Sequence, residues 1–118
     1  MGYYTDYALN VRKIKSRVEF EHLCDVLKEE EIIGYVLDDG TYIDSENYAY
    51  FNPIDSVKWY DHSDSMCQVS EQFPEMVFML EGIGEESDDR WREYYQNGKY
   101  ETCRARVIFE DPTEIKWD

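Results

Sequence analysis

The side chains able to do chemistry in this 118-residue chain are overwhelmingly carboxylates: 27 Asp and Glu stand against 12 Lys and Arg, two His and three Cys. Glu81, Glu85, Glu86, Asp88 and Asp89 crowd one short segment around Gly82 and Gly84. Glu29, Glu30 and Glu31, with Asp38 and Asp39, form a second group. Clustered carboxylates offer three chemistries: ligation of a hard cation, acid/base catalysis, and recognition of a cationic surface. Calcium or magnesium requires several oxygen ligands in a defined arrangement. No EF-hand spacing is present here or around Asp38, Asp39, Asp44 and Glu46, so solvated loops account for these groups better than a metal site. Acid/base work requires one selected pair, and the sequence selects none. Electrostatic recognition is the chemistry that the distribution of charge favours.

Twenty of the carboxylates fall between Glu19 and Asp89, where Lys28 and Lys58 are the only basic residues, giving that block a net charge of −18 within a chain of net −15. Arg12, Lys13, Lys15 and Arg17 precede the block with only Asp6 against them, so the charge is polarised. A soluble domain of this size needs a net charge of only ~2 to 8 in magnitude. The excess points to a positively charged partner. The same surface repels nucleic acid and anionic lipid, so neither direct nucleic-acid binding nor membrane association is expected.

Other constellations are weaker. Gly82 and Gly84 have the look of a phosphate-binding loop, but such loops present backbone N–H groups at a helix start, often with a Lys, and the acids around these glycines repel phosphate. His22 and Cys24 are two apart in a helical segment and do not face each other. His62, next to Asp61 and Ser63, reads as a turn residue. Cys24, Cys67 and Cys103 are odd in number with no CxxC spacing, which argues for reduced thiols rather than a disulfide framework or structural zinc, and burial is the default expectation for all three. No nucleophile, base or cofactor motif stands out, so the chain is read as non-enzymatic and without a cofactor. A competing reading, a binder of or enzyme on a small signalling nucleotide, would need a basic pocket, for which Arg92, Arg104 and Arg106 are the candidates outside the first basic cluster. A third reading is a self-associating structural module, a homo-oligomer in which the basic cluster of one copy meets the acidic block of another.

The elements that must position these groups follow from periodicity. Aromatics make up 16% of the chain, with eleven Tyr and three Trp, whereas disordered acidic tails are poor in aromatics. A single folded α+β domain over residues 1–118 is expected, because a second core would have too little to bury. Residues 3–11 alternate as a strand. Ser16 and Glu19 have capping-box spacing, with Phe20, Leu23, Val26 and Leu27 on one face of a helix running to about residue 30. Glu29, Glu30 and Glu31 then sit at the helix end that disfavours anions. Residues 32–37 and 41–43 read as a hairpin around Asp38, Asp39 and Gly40, residues 45–54 as an irregular connection, and residues 57–60 as a strand. Ser63 caps a second helix with Met66, Val69 and Phe73 inward and Pro74 beyond its end. Residues 76–80 form a strand, and residues 81–89 a flexible segment. Asn97 and Gly98 join two alternating runs, 91–96 and 99–109, into a hairpin, and residues 111–118 are assigned to the surface. A single antiparallel sheet with two helices on one face fits this order. Residues 1–10 lack the apolar run of a signal peptide, and no stretch approaches the ~18 apolar residues of a membrane span.

Met1 to Thr5, Lys58 to His62, Phe73 and Pro74 followed by Val77 and Phe78, Gly82, Gly84 to Glu86, Trp91, and Asn97 to Lys99 together resemble a group of small phage and prophage proteins similar to a ferredoxin-like domain of unknown function. The likeness lies mainly between Val57 and Phe109. It implies a ferredoxin-like fold, the cytoplasm of a bacterial host, and an anti-defence role such as anti-CRISPR or anti-restriction inhibition, with no site residues to transfer. A duplex carries one charge per ~1.7 Å, so ~35 Å of DNA presents roughly 20 phosphates, comparable to the acidic block. The expectation is a protein that docks carboxylates onto the basic surface of a host nucleic-acid-binding enzyme, a defence nuclease. Glu81, Glu85, Glu86, Asp88 and Asp89 are the first expected contacts, and Glu29, Glu30, Glu31, Asp38 and Asp39 the second.

Overall fold

A computed structural model describes residues 3–86, 88–106 and 108. The chain runs β1 (Thr5–Arg12), α1 (Arg17–Glu29), β2 (Thr41–Ile43), a 3-10 turn (Asp44–Glu46), β3 (Tyr48–Phe51), α2 (His62–Gln72), β4 (Val77–Gly84), β5 (Arg90–Gln96) and β6 (Lys99–Arg104). It is an α+β structure with one six-stranded sheet in the order β2-β3-β1-β4-β5-β6. Every neighbouring pair is antiparallel.

Alternation along the strands makes the two faces different. Tyr7, Leu9 and Val11 of β1, Ala49 and Phe51 of β3, Phe78 and Leu80 of β4, and Tyr95 of β5 turn inward and are buried. They form one core with Phe20, Leu23, Val26 and Leu27 of α1 and Met66 and Val69 of α2. Both helices therefore cover the same face. The other face carries the alternate residues and lies open.

Local chemistry sets the element ends. Ser16 caps α1 by accepting the Glu19 N–H at 3.2 Å, an interaction worth about 1 kcal/mol. Glu19 Oε1 reaches back to the Lys15 N–H at 2.9 Å. At the other end the Glu31 N–H donates to the Lys28 carbonyl (3.1 Å) and the Ile32 N–H to the Leu27 carbonyl (2.9 Å), with Glu31 at φ 60°. This is a Schellman closure in which Glu occupies the left-handed position usually held by Gly. Asn97 (φ 48°) and Gly98 (φ 80°) make the tight β5–β6 turn, as their sequence implies.

Several expected elements are corrected. Residues 32–37 do not pair with residues 41–43. Ile32, Val36 and Leu37 are buried in a compact turn in which Val36 and Leu37 both donate to the Ile32 carbonyl at 3.0 Å. This apolar run plugs the core below α1 instead of joining the sheet. The hairpin is β2–β3, turning through the 3-10 segment to Asn47 in the left-handed region, so the expected irregular connection contains β3. Its Asn and Pro residues bound that strand. Residues 57–60 contribute only an isolated bridge between Val57 and Thr5, and α2 starts at His62 behind Asp61, two residues earlier than a Ser63 cap requires. Strand β4 continues to Gly84 and takes in half of the segment expected to be flexible, while β6 ends at Arg104. Residue 109 and residues 111–118 lie outside the described residues. Among the described residues no helix is long and apolar enough to cross a membrane.

Candidate functional site

Strand registers place the two acidic groups. Thr5 pairs with Gly84 and Arg12 with Val77, so the β4–β5 turn lies at the Thr5 end of the sheet. Thr41 pairs with Tyr50, and Tyr50 with Asn10, so β2 begins level with Asn10, and Asp38, whose N–H donates to the Asn52 carbonyl, precedes it on the Thr5 side. Helix α1 leaves β1 at the Arg12 end and runs back, and its last turn meets this segment, with Lys28 3.9 Å from Asp39. The fold thus sets Glu29, Glu30, Glu31, Asp38 and Asp39 back from the Arg12 end, toward the side that carries Glu85, Glu86, Asp88 and Asp89. Three strand spacings separate β2 from β4, about 14 Å at ~4.8 Å per strand. The β3–α2 connection, tied to Thr5 through Val57, adds exposed Asp55 and Asp61, and the first turn of α2 adds exposed Asp64. Sequence reasoning did not single out these three, because only topology brings them beside the others.

The opposite end holds Arg12, Lys13, Lys15 and Arg17. Lys15 is paired there with Glu75 and Arg17 lies 3.7 Å from Asp44. The first basic cluster thus lies away from the acidic β4–β5 turn, which Arg90 and Arg104 flank.

The expected contact residues differ in availability. Glu85 accepts the Tyr4 N–H at 3.2 Å, and the Glu86 N–H donates to the Tyr3 hydroxyl at 3.0 Å, so the turn is anchored to the chain start while both carboxylates stay exposed. Asp88 is exposed and Asp89 lies 3.5 Å from Arg104. Glu81 stands apart from the turn. It sits on the open face of β4, 3.0 Å from the Arg92 Nε. In the second group Asp39 lies 3.9 Å from the Lys28 amine, a loose exposed pair worth little, and Asp38 accepts the Asp39 N–H at 2.8 Å. Glu29, Glu30 and Glu31 project from the end of α1. Among the described residues no group of three or more His, Cys, Asp or Glu is arranged to hold a metal.

A second polar cluster is buried. Glu93 is 5% exposed and points inward from β5. Its Oε1 accepts from His62 Nδ1 (3.0 Å), Ser63 Oγ (3.0 Å) and the Tyr95 hydroxyl, and its Oε2 from Thr102 Oγ1 (2.9 Å). The His62 ring stacks on Trp91 at 4.8 Å, with Tyr7 at 5.8 Å and Trp59 at 6.0 Å. Buried polar groups persist when their partners are satisfied, and this set fastens α2 to the β5–β6 hairpin. One signal for it was present in the sequence: Glu93 occupies an inward position between Trp91 and Tyr95.

Arg90, Arg92, Arg104 and Arg106 come together with Glu81, Tyr94 and Cys103 around a pocket of about 410 Å³. Cys103 is exposed, contrary to the expectation of burial, because β6 is an edge strand whose residues are all exposed. Cys24 and Cys67 are partly buried. Burial pushes the Cys24 thiol up to about 11 and also raises that of Cys67. The chain matches no protein-family model, no curated protein and no solved structure.

Proposed function

We propose that this chain is a non-enzymatic docking protein whose acidic end engages a cationic, nucleic-acid-binding groove on a partner protein. The observation that carries the reading is that sequence-distant acids, Glu29 to Glu31, Asp38, Asp39, Asp55, Asp61, Asp64 and the β4–β5 turn, lie toward one side of the sheet, away from the Arg12 end. Carboxylates in excess of the cations beside them, Lys28 and Arg104, repel one another and destabilise the chain that carries them, so the arrangement is accounted for by what it binds. A surface spread over about 14 Å or more presents several charges at once to a groove shaped for phosphates. Association is then fast and weakens as salt rises.

The resemblance to small phage proteins narrows this reading to a host defence nuclease met in the bacterial cytoplasm. The same reading treats β1, α1, β2, β3, α2 and β4 as a ferredoxin-like unit, with β5 and β6 appended at the β4 edge. What supports it is the antiparallel order β2-β3-β1-β4 within the larger sheet.

The test is retention of proteins from bacterial lysate by the tagged chain at low and high salt, identified by mass spectrometry and challenged with duplex DNA. The reading expects a nucleic-acid enzyme that DNA displaces, and a Glu85→Lys, Glu86→Lys, Asp88→Lys triple variant that no longer retains it. Undiminished retention by the triple variant would overturn the assignment.

A further inference from the structure

We propose that the arginine pocket on β4, β5 and β6 binds a small phosphorylated ligand of nucleotide size. The inference goes beyond the acidic-end reading and uses different residues. Four of the chain's six arginines line this one pocket, in a chain of net charge −15. Arg90 and Arg92 share the open face of β5 at the wall of this pocket, and neighbouring cations repel one another, a cost that a bound anion relieves. Solubility gives no reason for such a cluster.

The register shows how the pocket is built. Glu81, Arg92 and Cys103 lie side by side across β4, β5 and β6, so Glu81 holds the Arg92 guanidinium on the open face at 3.0 Å. Asp89 holds Arg104 at 3.5 Å. Both arginines are thereby oriented before any ligand arrives. Arg90 and Arg106 are exposed and make no ion pair among the described residues. Among the described residues two guanidinium charges are left over after pairing. A phosphate monoester carries about −1.5 to −2 at neutral pH, which matches them, and the planar guanidinium fork suits phosphate oxygens.

Size and surroundings extend the class beyond inorganic phosphate. The pocket volume of about 410 Å³ falls within the ~300 to 1,000 Å³ typical of small-molecule sites. Tyr94 is 39% exposed at its wall, and Arg92 lies beside it. An exposed aromatic ring is a stacking surface for a flat base.

Isothermal titration of the full chain with adenosine and guanosine monophosphates, adenosine and inorganic phosphate tests the proposal. Saturable binding of a nucleoside monophosphate is expected, about tenfold or more weaker for adenosine and for an Arg90→Gln, Arg106→Gln variant. The Glu85→Lys, Glu86→Lys, Asp88→Lys variant keeps the site, so failure here and failure of the acidic-end reading are separable. Ligand should also slow alkylation of Cys103 in the wild-type chain. No saturable binding of any phosphate probe, or unchanged affinity in the double arginine variant, would overturn the proposal. Equal affinity for inorganic phosphate and nucleotide would overturn its nucleotide size.

Discussion

The Nδ1 of His62 lies 3.0 Å from the Oε1 of Glu93, joining the first turn of α2 to the middle of β5 through a carboxylate that is almost wholly buried. Ser63, Tyr95 and Thr102 donate to the same carboxylate. Removing it strands three buried or half-buried donors, on His62, Ser63 and Tyr95, and frees the exposed Thr102 hydroxyl. Glu93→Ala should therefore cost about 3 kcal/mol, in line with the loss of one partner from a buried charged network. Glu93→Gln keeps the acceptor oxygen and should cost less, about 1 to 2 kcal/mol. Urea denaturation of the two variants beside the wild type measures both, and equal stability of Glu93→Ala and wild type would remove the network from any account of the fold.

Burial raises the phenols of Tyr95 and Tyr7 above their ordinary value of 10. In the window from about 10 up to the folded values, the unfolded chain has released these protons while the folded chain keeps them. The unfolded state then binds fewer protons, so stability falls as pH rises, by up to about 1.4 kcal/mol per pH unit for each phenol. It is fully present below pH 10. Tyr95→Phe should be less stable at neutral pH, having lost the bond to Glu93, yet show a shallower alkaline slope. Urea midpoints between pH 8 and 11 separate the two effects.

Glu31 adopts φ 60° at the closure of α1, where a side chain costs roughly 1 kcal/mol and an anion is additionally disfavoured by the helix dipole. Glu31→Gly should raise stability by about 1 kcal/mol. A thermal melt reads the gain. Under the docking proposal the same substitution also removes one contact charge, so tighter folding is expected together with slightly weaker salt-dependent binding.

Cys103 is exposed on the edge strand, whereas burial holds the Cys24 thiol up at about 11 and raises that of Cys67. The thiolate is the reactive form. Iodoacetamide at pH 8 should therefore modify one site quickly, and peptide mapping should place it at Cys103. Cys103→Ser should abolish the fast phase, whereas a persistent fast phase would mean that one of the other thiols is accessible.

The sequence by itself determined the features whose cause is local. Strand β1 follows from alternation, and the start of α1 from Ser16 and Glu19. The β5–β6 turn follows from Asn97 and Gly98, and the polarised charge from composition alone. Each depends on residues a few positions apart, which the chain places together however it folds. Residues 32–37 show where such reasoning ends, since a short apolar run has the same pattern in a strand as in a buried plug, and only the space below α1 decided between them. Strand β3 was hidden for a related reason: Asn and Pro bracket it, and its alternation gains meaning only between β1 and β2.

Tertiary structure alone decided the candidate sites. The register of β1 against β3 and β4 turns acids from five separate segments away from the Arg12 end, and the appended hairpin carries Arg90, Arg92, Arg104 and Arg106 to one pocket. Glu93 gains its partners only when α2 packs across β5. Pairings between distant segments are chosen by burial of the whole core, a collective term that no local window of sequence contains.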